Sequence, residues 1–469
     1  MPPGGEGTSG MRGRSVREDP GPAPSSSSHL PTATPSSRPW RHWEDSLAQD
    51  PAVKVVQDPV ALKLGVTRIL REHPEGPVWF RGFPDVTLAG NVWSTRARVA
   101  SYFGVQVERL QDLLLQGMEH PEPPRVVSYL ETSWTSGRAV DLRHLPVPWF
   151  FPGDAGPYLT AGVISAFWKG KRNLSFHRLL VQEATGGPAR IVPRHLDRML
   201  RESRQEGKEL PVAMVLGGPL EFLLAAALST DYETDELEVA SALHRRRTGE
   251  PLPVVEFENG IRVPAASEMV FQGRVTREER PEGPFVDILG TYDPVRTQPV
   301  LSFDKFHAVP HPVLHAILPG GPEHFLLMGL PREPAILRAI RSAVPGVRAV
   351  RLTEGGAAWL HGVVAIEKRR AGDGKNAILA AFAGHASMKH VIVVDADIDI
   401  FNDEEVEWAV ATRFQADRGL LVIPGATGSS LDPSATPDGI TTKWGMDCTL
   451  PLQVDRAPFT REPLTRRGG

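Results

Sequence analysis

The stretches VVEFENGIRVP (254–264) and EMVFQGRVT (268–276) decide the fold of the middle of the chain. Both are rich in Val, Phe and Ile, and Gly, Pro and Asn residues separate the short apolar runs. This pattern is typical of short β-strands joined by tight turns. It extends from about residue 128 to residue 325 and predicts a barrel-like β domain there.

The preceding segment, residues 40–127, alternates short helical and strand patterns. Apolar residues at core-face spacing predict a helix around residues 62–70, and GPVWF (76–80) predicts a buried strand. Residues 94–103 form a further predicted helix, which ends at Gly104 because glycine favours helix C-termini. We therefore expect a small N-terminal α/β unit.

The following segment, residues 326–448, alternates helices and strands in a longer pattern. Such alternation predicts βαβ units and a mostly parallel sheet covered on both faces. The predicted elements are a helix at 333–343, strands at 347–352 and 362–367, a helix at 376–386, a strand at 390–395, a helix at 403–414 and a strand at 419–423.

The two ends of the chain lack these patterns. Residues 1–39 combine Gly, Pro and a run of serines with few apolar side chains, so we expect a disordered tail. Residues 449–469 show no regular periodicity and are expected to form a C-terminal tail.

Composition narrows the function. The 469 residues carry 52 basic and 56 acidic side chains, a net charge of −4, so nucleic acid is not an expected partner. The single cysteine, Cys448, cannot form an intramolecular disulfide, which favours a reducing cytoplasm. No apolar stretch reaches the ~18 residues of a membrane span and no secretory signal is evident, so we expect a soluble cytoplasmic protein.

Several enzyme signatures are absent from the sequence. It contains no phosphate-binding P-loop, no Rossmann glycine fingerprint, no G-x-S-x-G elbow and no H-E-x-x-H motif. These absences argue against nucleotide kinases, Rossmann dehydrogenases, serine hydrolases and zincin metalloproteases.

The segment PEGPFVD (281–287) holds two acids, Glu282 and Asp287. The simplest interpretation is a solvated surface turn. Alternatively, two carboxylates forced together raise the pKa of one of them, which then becomes a proton donor. Arg178, in NLSFHR (173–178), would complete such a site, because a guanidinium grips a carboxylate in a fixed orientation.

Asn173, His195 and Glu236 offer ligands that suit Mn²⁺ or Mg²⁺. Their spacing makes no local motif, however, and by itself does not predict a metal site.

Two other groups of side chains suggest metal sites, but their spacing fits no regular ligand geometry. We expect the histidines at 307, 311, 315 and 324 to pack or to line a cavity. The acids at 395, 397 and 399 lack the glycine and glutamate of a calcium loop, and we expect Asn402 or Asp403 to cap the next helix.

A series of motifs occurs in a defined order along the chain. They are NLSFHR (173–178), TDELEVASALHRR (234–246), SEMVFQG (267–273), PEGPFVD (281–287), LPGGPEHFLLMGLPRE (318–333), VIVVDADIDIFNDEEVEWAVATRF (391–414) and KWGMDCT (443–449). Together they resemble the UbiD family of reversible (de)carboxylases over about residues 50–450. The resemblance implies a multidomain α+β and α/β architecture whose central domain is a split β-barrel, as in flavin reductases.

The resemblance also implies a cofactor, prenylated FMN, with Mn²⁺ (or Mg²⁺) and K⁺ at its phosphate. Asn173, His195 and Glu236 match the metal ligands of the family. Thr160 and Lys443 match residues near the flavin. A flavin prenyltransferase would supply the cofactor, and the protein would assemble as a homodimer or homohexamer.

The catalytic network of the family matches Arg178, Glu282 and Asp287. The resemblance implies that Arg178 holds the substrate carboxylate and that Glu282 protonates the carbon left after CO₂ departs. The implied reaction is non-oxidative decarboxylation of an α,β-unsaturated or (hetero)aromatic acid, with carboxylation as its reverse. A role in secondary metabolism is a further expectation. A flavin-binding protein without decarboxylase activity, either a carrier or a flavin reductase, remains the alternative.

Overall fold

The computed structural model describes residues 52–460. The predicted disordered tail at residues 1–39 lies outside the described residues, as do residues 461–469 of the predicted C-terminal tail. The described chain has a mixed α/β fold. None of its helices is long and apolar enough to cross a membrane.

The elements are numbered in chain order. The strands are β1 (Lys54–Val56), β2 (Val78–Phe80), β3 (Thr87–Gly90), β4 (Arg125–Val127), β5 (Thr135–Arg138), β6 (Tyr158–Leu159), β7 (Val163–Trp168), β8 (Lys171–Phe176), β9 (Leu179–Leu180), β10 (Gly186–Pro188), β11 (Leu210–Leu216), β12 (Pro253–Glu256), β13 (Arg262–Pro264), β14 (Met269–Glu282), β15 (Phe285–Val286), β16 (Tyr292–Asp293), β17 (Arg296–Ala308), β18 (Val313–His315), β19 (Val347–Leu352), β20 (His361–Ile366), β21 (His390–Asp395), β22 (Leu420–Thr427) and β23 (Ile440–Asp447). The helices are α1 (Gly65–Glu72), α2 (Arg96–Phe103), α3 (Leu110–Glu119), α4 (His195–Gln205), α5 (Leu220–Ala227), α6 (Glu236–Thr248), α7 (Pro322–Gly329), α8 (Glu333–Ala343), α9 (Asp373–Gly384), α10 (Asp403–Arg413) and α11 (Ala416–Gly419).

The first strands form a mixed four-stranded sheet in the order β1-β2-β3-β18. All of β2 is buried, which confirms the strand predicted at GPVWF. The predicted helix before Gly104 is also confirmed as α2, which Thr95 caps by accepting a hydrogen bond from the amide of Arg98. It ends at Gly104, which has a φ of 65°, in the left-handed region that glycine adopts without steric cost.

The central strands form one antiparallel sheet in the order β10-β17-β14-β11-β7-β8, with β5 added beside β17. Alternate side chains of its inner strands enter two separate cores, one holding Val163, Ala213 and Val270. The other core holds Ile164 and Met214. Both faces of the sheet are therefore buried, which explains why these strands have nearly continuous apolar sequences.

The two stretches that define the middle of the chain enter different sheets. VVEFENGIRVP forms β12 and β13, which join β4 in a separate three-stranded sheet. EMVFQGRVT lies mostly within the long strand β14 of the central sheet. The ladder of the central sheet does not close on itself among residues 52–460, so the split β-barrel is not confirmed and stays a prediction.

The C-terminal strands form a five-stranded sheet in the order β19-β20-β21-β23-β22. Helices α8 and α9 lie over one apolar face and α10 over the other, as predicted. The predicted parallel pairing is confirmed for β20 and β21, and β23 also runs parallel to β21. The edge strands β19 and β22 each run antiparallel to their neighbour, so the sheet is mixed. The prediction also lacked β23, whose sequence carries few apolar residues between Gly439 and Trp444.

Candidate active site

Arg178 lies at the centre of a cluster of three carboxylates. Its Nε and Nη2 atoms donate to the two carboxylate oxygens of Glu282 at 2.8 and 2.9 Å. Its Nη1 atom donates to Asp287, and Nη2 also donates to Asp293 Oδ2 at 2.8 Å. Glu282 is fully buried. The structure thus brings together Arg178, Glu282 and Asp287, the three predicted catalytic residues.

The local course of the chain creates these contacts. Arg178 lies between β8 and β9, and Glu282 is the last residue of β14. Gly283 follows with a φ of 93°, and a Cβ atom there would lie 3.1 Å from the carbonyl oxygen of Pro294. Glycine is therefore needed for the turn that leads from Glu282 into the β15–β16 hairpin. Asp287 follows β15, and Asp293 ends β16.

The sequence analysis missed Asp293. Its carboxylate also accepts from Arg296 Nη2 at 3.0 Å and lies 3.4 Å from Arg190 Nε. No spacing rule singles it out, because its place depends on the hairpin register that pairs Phe285 with Asp293. The turn residue Gly290 was the only local signal that this hairpin exists.

Aromatic side chains cover one side of the cluster. The Arg178 guanidinium lies over the ring of Phe285 at 4.4 Å, and that ring lies 4.4 Å from the ring of Tyr158. The Tyr158 hydroxyl accepts from the amide of Gly283. The amide of Val286 donates to Asp154 Oδ1 at 3.0 Å, and the next residue, Asp287, accepts from Arg178.

The electrostatics keep this arginine charged. Burial by itself would lower the pKa of Arg178, but the carboxylates of Glu282, Asp287 and Asp293 together raise it above its ordinary value. Burial lowers the pKa of His324, which lies within electrostatic range of Asp287 and Arg178. His324 Nδ1 accepts from the amide of Gly320 at 3.1 Å. The charged guanidinium of Arg178 and the neutral imidazole of His324 therefore both lie near Asp287.

Asn173, His195 and Glu236 also come together, although 22 and 41 residues separate successive members in the sequence. Asn173 Nδ2 lies 3.2 Å from Glu236 Oε1, and His195 Nδ1 lies 3.5 Å from the same oxygen. Asn173 comes from β8, His195 begins α4 and Glu236 begins α6. The fold therefore places the side chains of all three predicted metal ligands next to one another.

Neighbouring groups hold this triad in place. Glu236 accepts hydrogen bonds from the Thr230 hydroxyl at 3.0 Å and from the amide of Leu174 at 3.1 Å. The Ser175 hydroxyl donates to Asn173 Oδ1 at 3.0 Å and contacts His177 Nε2. Sequence reasoning identified none of these supporting residues, because their roles depend on contacts between elements.

The two remaining predicted residues occupy different places. Thr160 lies beside Arg178, since the adjacent residues Leu159 and Leu179 are paired across β6 and β9. The Thr160 hydroxyl is buried and has no hydrogen-bond partner within the described chain. Lys443 is buried in β23, where it donates to the carbonyl oxygen of Ala386. Within the described chain it makes no hydrogen bond or ion pair with the triad.

These groups fit the cofactor and metal that the sequence resemblance implies. One amide oxygen, one imidazole nitrogen and one carboxylate form a donor set suited to Mn²⁺ or Mg²⁺. The unpaired Thr160 hydroxyl offers a hydrogen bond to a bound group near Arg178. The site therefore has donors for a metal and for a polar cofactor edge, contributed by residues of separate strands and helices.

The other polar groups noted in the sequence have local partners. His307 contacts Tyr129 and Gln272, whereas His315 contacts Glu323 at 2.9 Å. Arg413 pairs with the acids at 395 and 397, and Asn402 caps α10 as predicted. Burial raises the pKa of Cys448 to about 12, as expected for a packing residue.

Comparison with known proteins defines the class. The model of the 3-octaprenyl-4-hydroxybenzoate carboxy-lyase Rift-related domain matches residues 125–322. The model of the C-terminal domain of the same carboxy-lyase matches residues 325–448. Because these matches cover more than half of the chain, the protein belongs to the UbiD family and is a carboxy-lyase, as predicted.

Individual relatives are similar over almost the whole chain. The anhydromevalonate phosphate decarboxylase of Methanothermobacter thermautotrophicus is 44 % identical over 88 % of this chain and 97 % of its own. The protein of the same name from Methanocaldococcus jannaschii is 42 % identical over 87 % of this chain and 97 % of its own.

A solved structure of the UbiD-class enzyme HmfF from Pelotomaculum thermopropionicum, in complex with FMN, is also similar. It has a TM-score of 0.85 and 36 % identity, and it covers 91 % of this chain and 97 % of its own. An evolved dimeric form of HmfF, in complex with prenylated FMN, has a TM-score of 0.80 and 33 % identity over 90 % of this chain and 96 % of its own.

Proposed function

We propose that this protein uses prenylated FMN to decarboxylate an α,β-unsaturated carboxylic acid without net oxidation. The observation that carries this proposal is the buried pairing of Arg178 with Glu282 beside Asp287. The (hetero)aromatic acids that the sequence analysis kept open are not proposed. The relatives at 44 % and 42 % identity are named for anhydromevalonate phosphate, which is not an aromatic acid. A role in secondary metabolism has no support in the fold or the site and stays a prediction.

Arg178 would position the substrate carboxylate. Arginine has five N–H donors, and in this structure Glu282 takes two, Asp287 one and Asp293 one. One N–H on Nη1 therefore remains for a substrate carboxylate. Because the guanidinium is held by three acids and lies against Phe285, its orientation is fixed before the substrate binds.

Glu282 would deliver a proton to the α-carbon after CO₂ leaves. It must be protonated at that step and ionised afterwards. Asp287 and Asp293 pair with Arg178 whether Glu282 is protonated or ionised. The positive charge of Arg178 therefore remains compensated when Glu282 takes up a proton. Arg178 also fixes both Glu282 oxygens in position, which limits the directions in which the proton is delivered.

Asn173, His195 and Glu236 would hold Mn²⁺ or Mg²⁺ against the phosphate of the cofactor, with K⁺ nearby. Thr160 would bind the flavin edge, and Lys443 would add a positive charge near the cofactor. When bound, prenylated FMN supplies the electron sink that lets CO₂ depart. The HmfF structures support the flavin in this proposal, because they contain FMN and prenylated FMN. A flavin prenyltransferase would supply the modified flavin.

The architecture of the proposal follows the sequence analysis. Residues 40–127, 128–325 and 326–448 would act as the N-terminal, flavin-binding split-barrel and C-terminal domains. The protein would form a homodimer or homohexamer. The edge strand β22 supports assembly because two of its apolar side chains, Leu420 and Val422, are 42 % and 51 % exposed. Light scattering of the purified protein measures this assembly.

The experiment that tests the function uses protein co-expressed with a flavin prenyltransferase. The absorption spectrum reports the bound modified flavin, and CO₂ release is measured with a panel of unsaturated acids that includes anhydromevalonate phosphate. Release of CO₂ from at least one acid supports the proposal. Bound cofactor with no turnover of any acid would favour the alternative, a flavin carrier or reductase. Carboxylation is measured separately as isotope exchange under high CO₂.

A further inference from the structure

Arg332 differs from the other deeply buried arginines of the protein. Among residues 52–460, four arginines are less than a tenth exposed, and three of them pair with carboxylates. Those three are Arg178, Arg351 and Arg413. Arg332 is 7 % exposed, makes no ion pair with any described carboxylate, and its Nε has no hydrogen-bond partner there.

Another cation, Arg194, lies within electrostatic range of Arg332. Burial and the nearby charge of Arg194 lower the pKa of Arg332 to about 9. His385 lies within electrostatic range of Arg332, Arg194 and Lys443, and burial together with these charges lowers its pKa to about 3. The rings of Trp359 and His385 are 4.7 Å apart, and the Arg332 guanidinium lies 5.5 Å from the Trp359 ring.

Arg194 and Lys443 likewise make no ion pair within the described part of the chain. Arg332 and Lys443 are buried, whereas Arg194 is exposed. Two buried cations without a paired acid are unfavourable, and an anionic ligand would compensate their charge. We call Arg194, Arg332 and Lys443 the cationic cluster. It contrasts with the surroundings of Arg178, where three carboxylates are present.

The cationic cluster borders the candidate active site. Arg332 follows α7 through a short turn, and the first turn of α7 carries His324, which is within electrostatic range of Asp287 and Arg178. Eight helical residues span about 12 Å. Arg194 is exposed and directly precedes His195 of the triad. The cluster is therefore about one short helix away from the carboxylates at Arg178.

We propose that Arg332, together with Arg194, binds the phosphate group of a substrate that carries a carboxylate at one end and a phosphate monoester at the other. This inference rests on the proposed function and specifies its substrate class. A phosphate monoester carries nearly two negative charges at neutral pH, which matches a site with several cations. A guanidinium also forms paired hydrogen bonds to phosphate oxygens. The names of the two archaeal relatives agree with a phosphorylated acid.

The test compares two substrates in the prenylated-FMN holoenzyme: anhydromevalonate phosphate and anhydromevalonate. Arg332→Met keeps the length of the side chain but removes its charge, whereas Arg332→Lys keeps a charge without the planar fork. Arg338→Met, at an exposed arginine of α8, is the matched control. We expect the wild type and the control to prefer the phosphorylated acid. Arg332→Met should lower this preference, measured as the ratio of the two kcat/KM values, by at least about 30-fold, and Arg332→Lys should restore part of it.

Two further readouts separate a binding role from a structural one. Without ligand, Arg332→Met should raise the melting temperature, because it removes a buried unpaired charge. Inorganic phosphate should raise the melting temperature of the wild type more than that of the variant. An equal loss of kcat/KM for both acids, or a phosphate shift that the variant retains, overturns the proposal. So does a loss of bound flavin in Arg332→Met, since the cluster would then serve the phosphate of the cofactor.

A failure of the proposed decarboxylase function can be distinguished from a failure of the phosphate-binding proposal. If the holoenzyme releases CO₂ from neither acid, the inference is judged by calorimetry alone. The Kd for anhydromevalonate phosphate should then still be at least about 30-fold weaker in Arg332→Met than in Arg338→Met. Equal Kd values in these two variants, or no binding to the wild type, would contradict it.

Discussion

Asp293 Oδ2 accepts a hydrogen bond from Arg178 Nη2 at 2.8 Å, and the same Nη2 atom donates to Glu282. The Asp293 side chain is only 2 % exposed. Asp293 therefore fixes the guanidinium that faces the proposed proton donor, although no hydrogen bond joins Asp293 to Glu282 within the described chain.

The first prediction concerns this positioning role. Asp293→Asn should lower kcat by about tenfold or more, because an amide attracts the guanidinium less strongly than a carboxylate. Flavin content should stay at the wild-type level, since Asp293 does not belong to the triad. Steady-state kinetics and the flavin absorption of the purified variant check both points. An unchanged kcat would show that Asp287 and Glu282 hold Arg178 without Asp293.

The second prediction concerns the shape of the arginine. Arg178→Lys keeps the positive charge, but a single ammonium cannot reproduce the paired contact with Glu282 together with those to Asp287 and Asp293. We expect kcat/KM to fall by about 100-fold or more. Arg143→Lys is a suitable control, because Arg143 makes a similar paired contact with Asp141 on the exposed surface. Equal activities of the two variants would exclude a special role for the Arg178 fork.

The third prediction concerns the metal. Glu236→Gln preserves the size of the side chain but replaces a carboxylate ligand with a neutral amide. Metal content and retained flavin should both fall by about tenfold or more relative to the wild type. Glu238→Gln changes the same residue type on the same helix, outside the triad, and should keep both. The metal content of the two purified variants is the deciding measurement. Wild-type metal content in Glu236→Gln would show that Glu236 is not a metal ligand.

The fourth prediction concerns stability at low pH. Burial, and then the neighbouring His390, lower the pKa of His361 to about 4. Between about pH 6.5 and pH 4 the unfolded chain binds a proton at this residue and the folded protein does not. The contribution of His361 is therefore complete above pH 6.5 and is lost as the pH falls, by up to about 3 kcal/mol.

Urea unfolding at pH 7.5 and pH 5 measures this loss. His361→Asn removes the titrating group, so its free energy of unfolding should fall less between the two pH values than that of the wild type. Equal losses in both proteins would mean that His361 does not titrate on unfolding in this range.

The sequence predicted elements whose signals are local. The helix that ends at Gly104 and the strand at residues 390–395 follow from apolar spacing and glycine, and both occur. Strand β23 was missed because three consecutive polar residues, Thr441 to Lys443, interrupt its apolar residues, and its place in the sheet depends on pairing with β21 and β22. The antiparallel edges of the C-terminal sheet were missed for the same reason, since strand direction depends on pairing and not on composition.

The site shows the same division. Arg178, Glu282 and Asp287, the three predicted catalytic residues, meet in space. Their support was not predicted, because Asp293 depends on a hairpin register and Thr230 on the approach of one helix to a strand. Arg332 was quoted in a motif without a role, since only the structure shows that it is buried without a paired carboxylate among the described residues.

The most direct test of the account is the rate of CO₂ release by Glu282→Gln, loaded with prenylated FMN and given an acid that the wild type decarboxylates. Glutamine keeps a hydrogen-bonding side chain beside Arg178 but cannot donate the required proton. The account predicts a rate at least about 100-fold lower than that of the wild type, with the same bound flavin. A rate equal to that of the wild type, at equal flavin content, would contradict the role of Glu282 as the proton donor.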